Sequence, residues 1–581
     1  SSQMNDTINL FILHEFENTL EIAPEEPSVI KRLALFEQRH GDLSKATALY
    51  NRSLQVFPQD PETKQHLEFL KPGAEGIEKE FARDAREVIA AHPLDPEADY
   101  AAEELLDLNV NRVFENGLSS AYYQRMVRIL DESGIKRFNS FWIGYSPSRQ
   151  NLKVLKARVF KPDGSIVERV NISDDSLSQD YRIYYDTSAT RIYFPDLEKG
   201  DVVEVSWKLD DTAQDNLFAD YFGKLYIFQG AVPVREQIFS VIMPKSRKLY
   251  YNKPRLQPEP LLTERGEDLM YSWAIKNVPE IKPEPSTPPW LEISDYLHVS
   301  TFADYNEMGR WYWNLVKDQW QAKDELKKTA WEIAGDAKDS AEKVRRIYNW
   351  VITKTRYIGL EFGVHGYKPY QVNQVFERKF GDCKDKASLL MTMLNEVGVK
   401  AEFVVIRTGD LGLIGPYPAS LASFNHAIVY VPELDIYLDG TAEFTGIRET
   451  PAMDSRATLI RLNPQGATLT QSPDQNFKKN RHTENFTLKI SGGHDATIHS
   501  EITIEGSEAP RFRSHFQDRL TRREKLEKLI NQSYPGARID SFRFKSLNDF
   551  EQPVQMTFDA ILPDYVRIEG EELVVKALFS G

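Results

Sequence analysis

One residue in this chain is equipped for nucleophilic chemistry. Cys383 is the only cysteine among 581 residues. It lies in the polar run Gly381-Asp382-Cys383-Lys384-Asp385-Lys386-Ala387, and an apolar helical pattern begins at once. Ala387, Leu390, Met391, Leu394 and Val397 recur at helical spacing, and Gly398 follows as a C-terminal cap. The thiol therefore sits at or near a helix N-terminus, where free backbone N–H groups and the helix dipole favour thiolate over thiol. Lys384 and Lys386 add positive potential. A lone cysteine is more often a small buried hydrophobe; the polar setting argues for a nucleophile instead.

A nucleophile needs a base, and the base needs an orienting group. His426 opens the strand pattern His426 to Val431, and Asp439 closes the pattern Ile436 to Asp439. The short link at Pro432-Glu433 predicts a hairpin. A two-residue turn puts His426 directly opposite Asp439; a four-residue turn makes them diagonal neighbours. Either register lets the carboxylate reach the imidazole. Asp382 and Asp385, three apart at a helix start, invite a metal reading, but N-capping explains them more simply. No metal or cofactor is called for. His365 reads as a loop histidine. The Gly- and Pro-punctuated stretch from Gly409 to Ser423 is long enough to serve as a lid or specificity loop.

These groups must be positioned by several domains, since 581 residues suggest three to five. Pro24-Glu25-Glu26-Pro27 and Pro58-Gln59-Asp60-Pro61 repeat at the tetratricopeptide period, with Leu33, Ala34, Phe36, Gly41, Ala46, Tyr50 and Leu54 between them. Phe11, Phe16 and Leu20 fit only the second helix of a preceding repeat, which implies further helices upstream. Residues 76–98 read as helix. From about 100 to 280 the period becomes two: Val203, Val205, Trp207 and Leu209 alternate with polar residues as a half-buried strand. Leu155, Ala157 and Val159 do the same before the turn Pro162-Asp163-Gly164. Pro283, Pro285, Pro288 and Pro289 mark a stiff linker. Val344, Ile347, Tyr348 and Val351 then share one helical face. The last hundred residues read as mostly strand, with one charged helix from about Arg513 to Asn531. The expected architecture is multidomain α+β. It comprises a partial tetratricopeptide-like helical segment (1–75), a helical lead-in with an antiparallel sandwich-like β domain (76–282), an α+β domain (290–470) and a C-terminal β domain (478–581).

Bulk properties exclude some classes. The net charge of −15 argues against general nucleic-acid binding, which needs a basic surface. No apolar run approaches the roughly 18 residues of a membrane span. No signal peptide is visible at Ser1-Ser2-Gln3-Met4. One cysteine permits no internal disulfide, and low cysteine use suits an oxidising compartment.

The run Gly381 to Ala387, then Asn425-His426-Ala427, then Leu438-Asp439-Gly440, resembles the bacterial transglutaminase-like superfamily. That resemblance implies a papain-related fold with a Cys383–His426–Asp439 triad. Tyr357-Ile358-Gly359 and Phe362-Gly363 are similar to that family too, which makes Tyr357, with Asp382, a candidate cleft or oxyanion residue. Residues 100–280, with Phe194-Pro195-Asp196-Leu197, resemble the β-rich domain of unknown function that precedes such domains. Tyr534-Pro535-Gly536-Ala537 resembles the β domain that follows. The implied activity is that of a cysteine protease, amidase or acyltransferase acting on a protein or peptide substrate through a thioester. The alternative is a non-catalytic scaffold using the same cleft to bind peptide, with a further protein partner on the tetratricopeptide segment. The domain set resembles bacterial envelope proteins, while the sequence itself leaves the cytoplasm open.

Overall fold

The structure, a computed structural model, describes residues 13–39, 42–57, 60, 63, 67, 76–95, 97–115, 118–147, 150–168, 170–176, 183–185, 188–211, 221–361, 363–490, 493–570 and 572–575. The chain divides into two compact units. The first comprises residues 1–315, 358–368 and 414–423, and the second residues 316–357, 369–413 and 424–581.

In the first unit, α1 (Pro27–Arg39) and α2 (Leu43–Val56) bury Ala34 against Ala46, Tyr50 and Leu54. Asp42 caps α2 by accepting the Lys45 N–H at 2.9 Å. Phe11, Gly41, Pro58, Gln59 and Pro61 of the repeat pattern lie outside the described residues. The helix expected over 76–98 is two short ones, Ile77–Phe81 and Ala85–Ala91. Asp84 leaves the helical path to cap the second, accepting the Arg86 and Glu87 N–H groups.

The main sheet of this unit has eight strands: β1 (Ala102–Val113), β2 (Ser119–Ile129), β3 (Gln150–Phe160), β4 (Ile166–Val167), β5 (Val202–Asp211), β6 (Val234–Pro244), β7 (Leu261–Arg265) and β8 (Asp268–Val278), in the order β7-β8-β6-β1-β2-β5-β3-β4. The expectation of a purely antiparallel sheet needs correcting, because β1 and β6 run parallel. Parallel neighbours cannot be joined by a tight turn, and the intervening residues 114–233 supply the crossover. Nor is β5 half-buried. Glu204 and Ser206 are buried along with Val203 and Val205, because both faces of the sheet are covered. The Glu204 carboxylate is met by Arg158 at 2.6 Å and Gln124 at 2.9 Å, which satisfies its buried charge. Beyond the proline run, strand Tyr296–Ser300 pairs with Gly223–Ile227, so the chain stays in this unit as far as Leu315.

The second unit begins with α3 (Asp324–Ala334) and α4 (Ser340–Lys354), whose Val344, Ile347, Tyr348 and Val351 are buried as their spacing predicts. There follow β9 (Arg356–Tyr357), α5 (Val372–Arg378), β10 (Phe380–Gly381) and α6 (Cys383–Glu396). Helix α6 is buried from Lys384 to Leu394, the condition of a central helix rather than an amphipathic surface one. It packs on an antiparallel sheet of five strands: β11 (Glu402–Arg407), β12 (His426–Val431), β13 (Ile436–Leu438), β14 (Thr458–Asn463) and β15 (Gly466–Gln471), in the order β13-β12-β11-β14-β15.

The C-terminal part of this unit holds β16 (Arg481–Ile490), β17 (Ala496–Glu505), α7 (Ala509–His515), α8 (Arg522–Ser533), β18 (Arg538–Lys545) and β19 (Val554–Leu562). The sheet order is β16-β17-β19-β18. Phe516, Leu526 and Ile530 cover the face that carries Ile498, Met556 and Phe558. The single charged helix expected at 513–531 is thus two. The break falls where the Asp518 carboxylate accepts the Leu520 N–H and the Thr521 hydroxyl, an alternative to continuing the helix. Among the described residues no helix is long and apolar enough to cross a membrane.

Candidate active site

Cys383 is the first residue of α6 and is half-buried. Its position is set by the capping box around it. Asp382 accepts the Asp385 N–H at 3.2 Å, and Asp385 accepts the Asp382 N–H at 3.4 Å. Gly381 is needed for close approach rather than for an unusual φ, since a Cβ there would stand 2.5 Å from the Asp385 Cβ. Gly381 pairs in parallel with Tyr357, which places that half-buried tyrosine beside the residue two before the thiol.

His426 begins β12, and Asp439 follows the last residue of β13. Val431 pairs with Ile436, so the turn comprises Pro432 to Asp435 and the four-residue register is the one adopted. Asp435 takes φ of 50° to close it. His426 and Asp439 are diagonal neighbours, with Nε2 lying 3.2 Å from Oδ2. That is ion-pair distance, although among the described residues Nε2 makes no aligned hydrogen bond. Asp439 Oδ1 accepts both the Thr441 N–H, at 2.7 Å, and the Thr441 hydroxyl, at 2.8 Å. The buried Tyr348 hydroxyl donates to the Asp439 carbonyl at 3.0 Å, tying α4 to the end of the hairpin.

Charge is concentrated here under little solvent. Burial opposes a charged His426 and is the largest single influence on it. The Asp439 carboxylate, and after it Cys383, outweigh burial and hold the imidazole well above its usual range. For Asp439, burial likewise opposes ionisation, and His426 and Thr441 overcome it to hold the carboxyl below its usual range. The two groups maintain each other's charge.

The lysines flanking the thiol are both engaged. Lys384 pairs with the Asp382 carboxylate. Lys386 is fully buried and donates to the Thr355 carbonyl at 2.9 Å; burial pulls it down to about 8, against the pull of Glu443 and Asp439. Asp385 also accepts the Tyr370 N–H at 2.8 Å and pairs with Arg378 at 2.9 Å. Burial, then the neighbouring Asp382, push it up to about 6. The Asp382 and Asp385 carboxylates are therefore occupied by the cap and its ion pairs. His365 belongs to the other unit, where its Nδ1 lies 3.0 Å from the Lys368 carbonyl. The 409–423 stretch is divided: residues 409–413 remain with the second unit and 414–423 join the first.

Sequence reasoning missed Asp454. It ends a short turn, Ala452–Asp454, and is 1 % exposed. Among the described residues, His426, Asp439 and Asp454 each offer one donor atom within 4.8 Å of the others, a spacing that could hold a metal ion. A proton shared between two buried carboxyls accounts for the same closeness. Nothing in Pro451-Ala452-Met453-Asp454 signals this role, because the residue reaches the site only through packing.

Comparison with known proteins agrees with this picture in outline. Residues 327–430 match the transglutaminase-like superfamily. Residues 115–282 match DUF3857, a domain of unknown function with a solved structure. The superfamily resemblance carried by Gly381 to Ala387, and the β-rich domain ahead of it, thus recur in the comparison. No match was found among curated proteins. The solved structure of a "putative protease" from Parabacteroides distasonis covers 80% of this chain and 93% of its own, at 14% identity and a TM-score of 0.55. That is a shared fold. A "putative cysteine protease" from Cytophaga hutchinsonii, at 10% identity, covers 55% of this chain and 75% of its own, with a TM-score of 0.17, too low to inform the fold.

Proposed function

We propose that this chain is a cysteine enzyme of the transglutaminase-like kind, acting on amide or peptide carbonyls through a thioester. The observation that carries the reading is Cys383 in the first turn of α6 together with the His426 imidazole 3.2 Å from the buried Asp439 carboxylate. In the proposed reaction the Cys383 sulfur attacks the carbonyl carbon, forming a C–S bond, while His426 holds the thiol proton. The tetrahedral intermediate collapses with cleavage of the C–N bond, and His426 gives its proton to the departing amine. Water or a second amine then attacks the thioester and passes a proton to His426. The C–S bond breaks and sulfur is regenerated. Asp439 keeps the imidazole oriented throughout. Water is the default acceptor, which favours hydrolysis over transfer. Tyr357, beside Gly381, is the candidate for the cleft wall or the oxyanion contact.

The wider setting belongs to the same proposal. Helices α1 and α2 belong to a partial tetratricopeptide segment that docks a protein partner. The chain works on protein or peptide in a bacterial envelope. The test is alkylation of Cys383 by iodoacetamide at about pH 6, followed by mass spectrometry. We expect a rate well above that of glutathione, lost in His426→Ala. Alkylation no faster than glutathione's would leave the non-catalytic scaffold as the better reading. Acyl-donor probes, with and without an added amine, then separate hydrolysis from transfer.

A further inference from the structure

Asp454 has no place in the three-residue mechanism, yet it is built into the site. Its backbone is fixed from two sides. Its N–H reaches the Pro451 carbonyl at 3.0 Å, and the buried Ser472 hydroxyl donates to its carbonyl at 2.5 Å. Its carboxyl adjoins those of Asp439 and the imidazole of His426. Among the described residues its Oδ1 has no hydrogen-bond partner. Two buried carboxyls within 4.8 Å of each other each raise the cost of ionising the other. Asp439 has the better claim to the charge, since two Thr441 donors and His426 face it.

We propose that Asp454 is a positioning residue for the Cys383–His426–Asp439 set: it keeps its proton and donates it in a hydrogen bond to the Asp439 carboxylate, fixing the oxygens that face His426. The catalytic roles of Cys383 and His426 are those of the proposed function, on which this inference rests. Burial, and then the Asp439 charge, push Asp454 up to about 8, while His426 opposes the shift. The groups that face the carboxyl pair are His426 on β12, Tyr348 on α4 and, toward Asp439, Lys386 on α6. An amide at this position would make the same donation without titrating.

The first test does not depend on catalysis. The infrared difference between wild type and Asp454→Asn at neutral pH should contain the carbonyl stretch of a protonated carboxyl, fading as the pH passes about 8. Its absence overturns the proposal. The second test is alkylation of Cys383 at neutral pH. Asp454→Asn should react within about threefold of wild type, and Asp454→Ala about tenfold more slowly. Equal rates in all three overturn the positioning role. If Asp454→Ala fails to fold, the infrared result and the Asp454→Asn rate still decide. A melting temperature raised by one equivalent of Zn²⁺ in wild type, but not in Asp454→Asn, would also overturn the proposal in favour of a cation site. Should wild type react no faster than glutathione, the proposed function fails, while the infrared band still reports on the proton.

Discussion

At the scale of residues, His426 and Asp439 stabilise each other in a definite pH window. His426 is raised above its ordinary 6.5, so its contribution is complete below that value and is lost as pH climbs through the higher folded value. Asp439 is lowered below 3.8, so its contribution is present above 3.8 and is lost as pH falls through the lower folded value. Between those limits both hold. His426→Ala would leave Asp439 buried without its cation, at a cost of about 3 kcal/mol near neutral pH. Urea unfolding should show that gap narrowing in acid, as Asp439 is protonated. A gap independent of pH would mean that the ion pair contributes nothing to stability. Asp454 has the sign opposite to that of Asp439: an acid raised to about 8 favours the fold most at low pH, and that advantage is lost between 3.8 and 8.

At the scale of elements, α6 matters because its first turn carries the thiol. Asp382 has two tasks there, capping the helix and pairing with the buried Lys384. A lost cap alone costs about 1 kcal/mol. Loss of the partner of a buried charge costs more, about 3 kcal/mol. Asp382→Ala should therefore unfold at clearly lower urea than a cap deletion explains, and Asp382→Asn should recover only the smaller part. Wild-type stability in Asp382→Asn would show that Lys384 needs no counter-charge, and equal stability for the two variants would show that the cap contributes nothing. The four-residue turn between β12 and β13 is the other element that counts. A one-residue slip of the β12–β13 register would flip the side-chain alternation and turn His426 or Asp439 away from its partner.

At the scale of the molecule, the second unit is held together by a buried cation far in sequence from the thiol. Arg513, on α7, is fully buried. Its guanidinium donates to the Phe444 carbonyl at 2.7 Å, Glu449 at 3.0 Å, the Phe550 carbonyl at 3.2 Å and the Gln552 carbonyl at 2.9 Å. It thereby anchors the segment that follows Asp439 to the C-terminal sheet. Gly446 completes that contact, since a Cβ there would stand 2.4 Å from the Phe550 carbonyl oxygen. Arg513→Ala should cost about 3 kcal/mol or more and open residues 444–449 to limited proteolysis, because several acceptors lose their donor at once. Resistance equal to that of wild type would show that the segment is held by other contacts. What the sequence determined alone was local. The cap of α6, the face of α4, the strands carrying His426 and Asp439 and the turn after β3 all follow from spacing and residue type, because their causes lie within a few residues. The hairpin register was open until Val431 met Ile436. The parallel pairing of β1 with β6, the covering of both faces of β5 and the arrival of Asp454 beside Asp439 were decided only by tertiary packing. Each depends on which distant surfaces meet, and no local period encodes that.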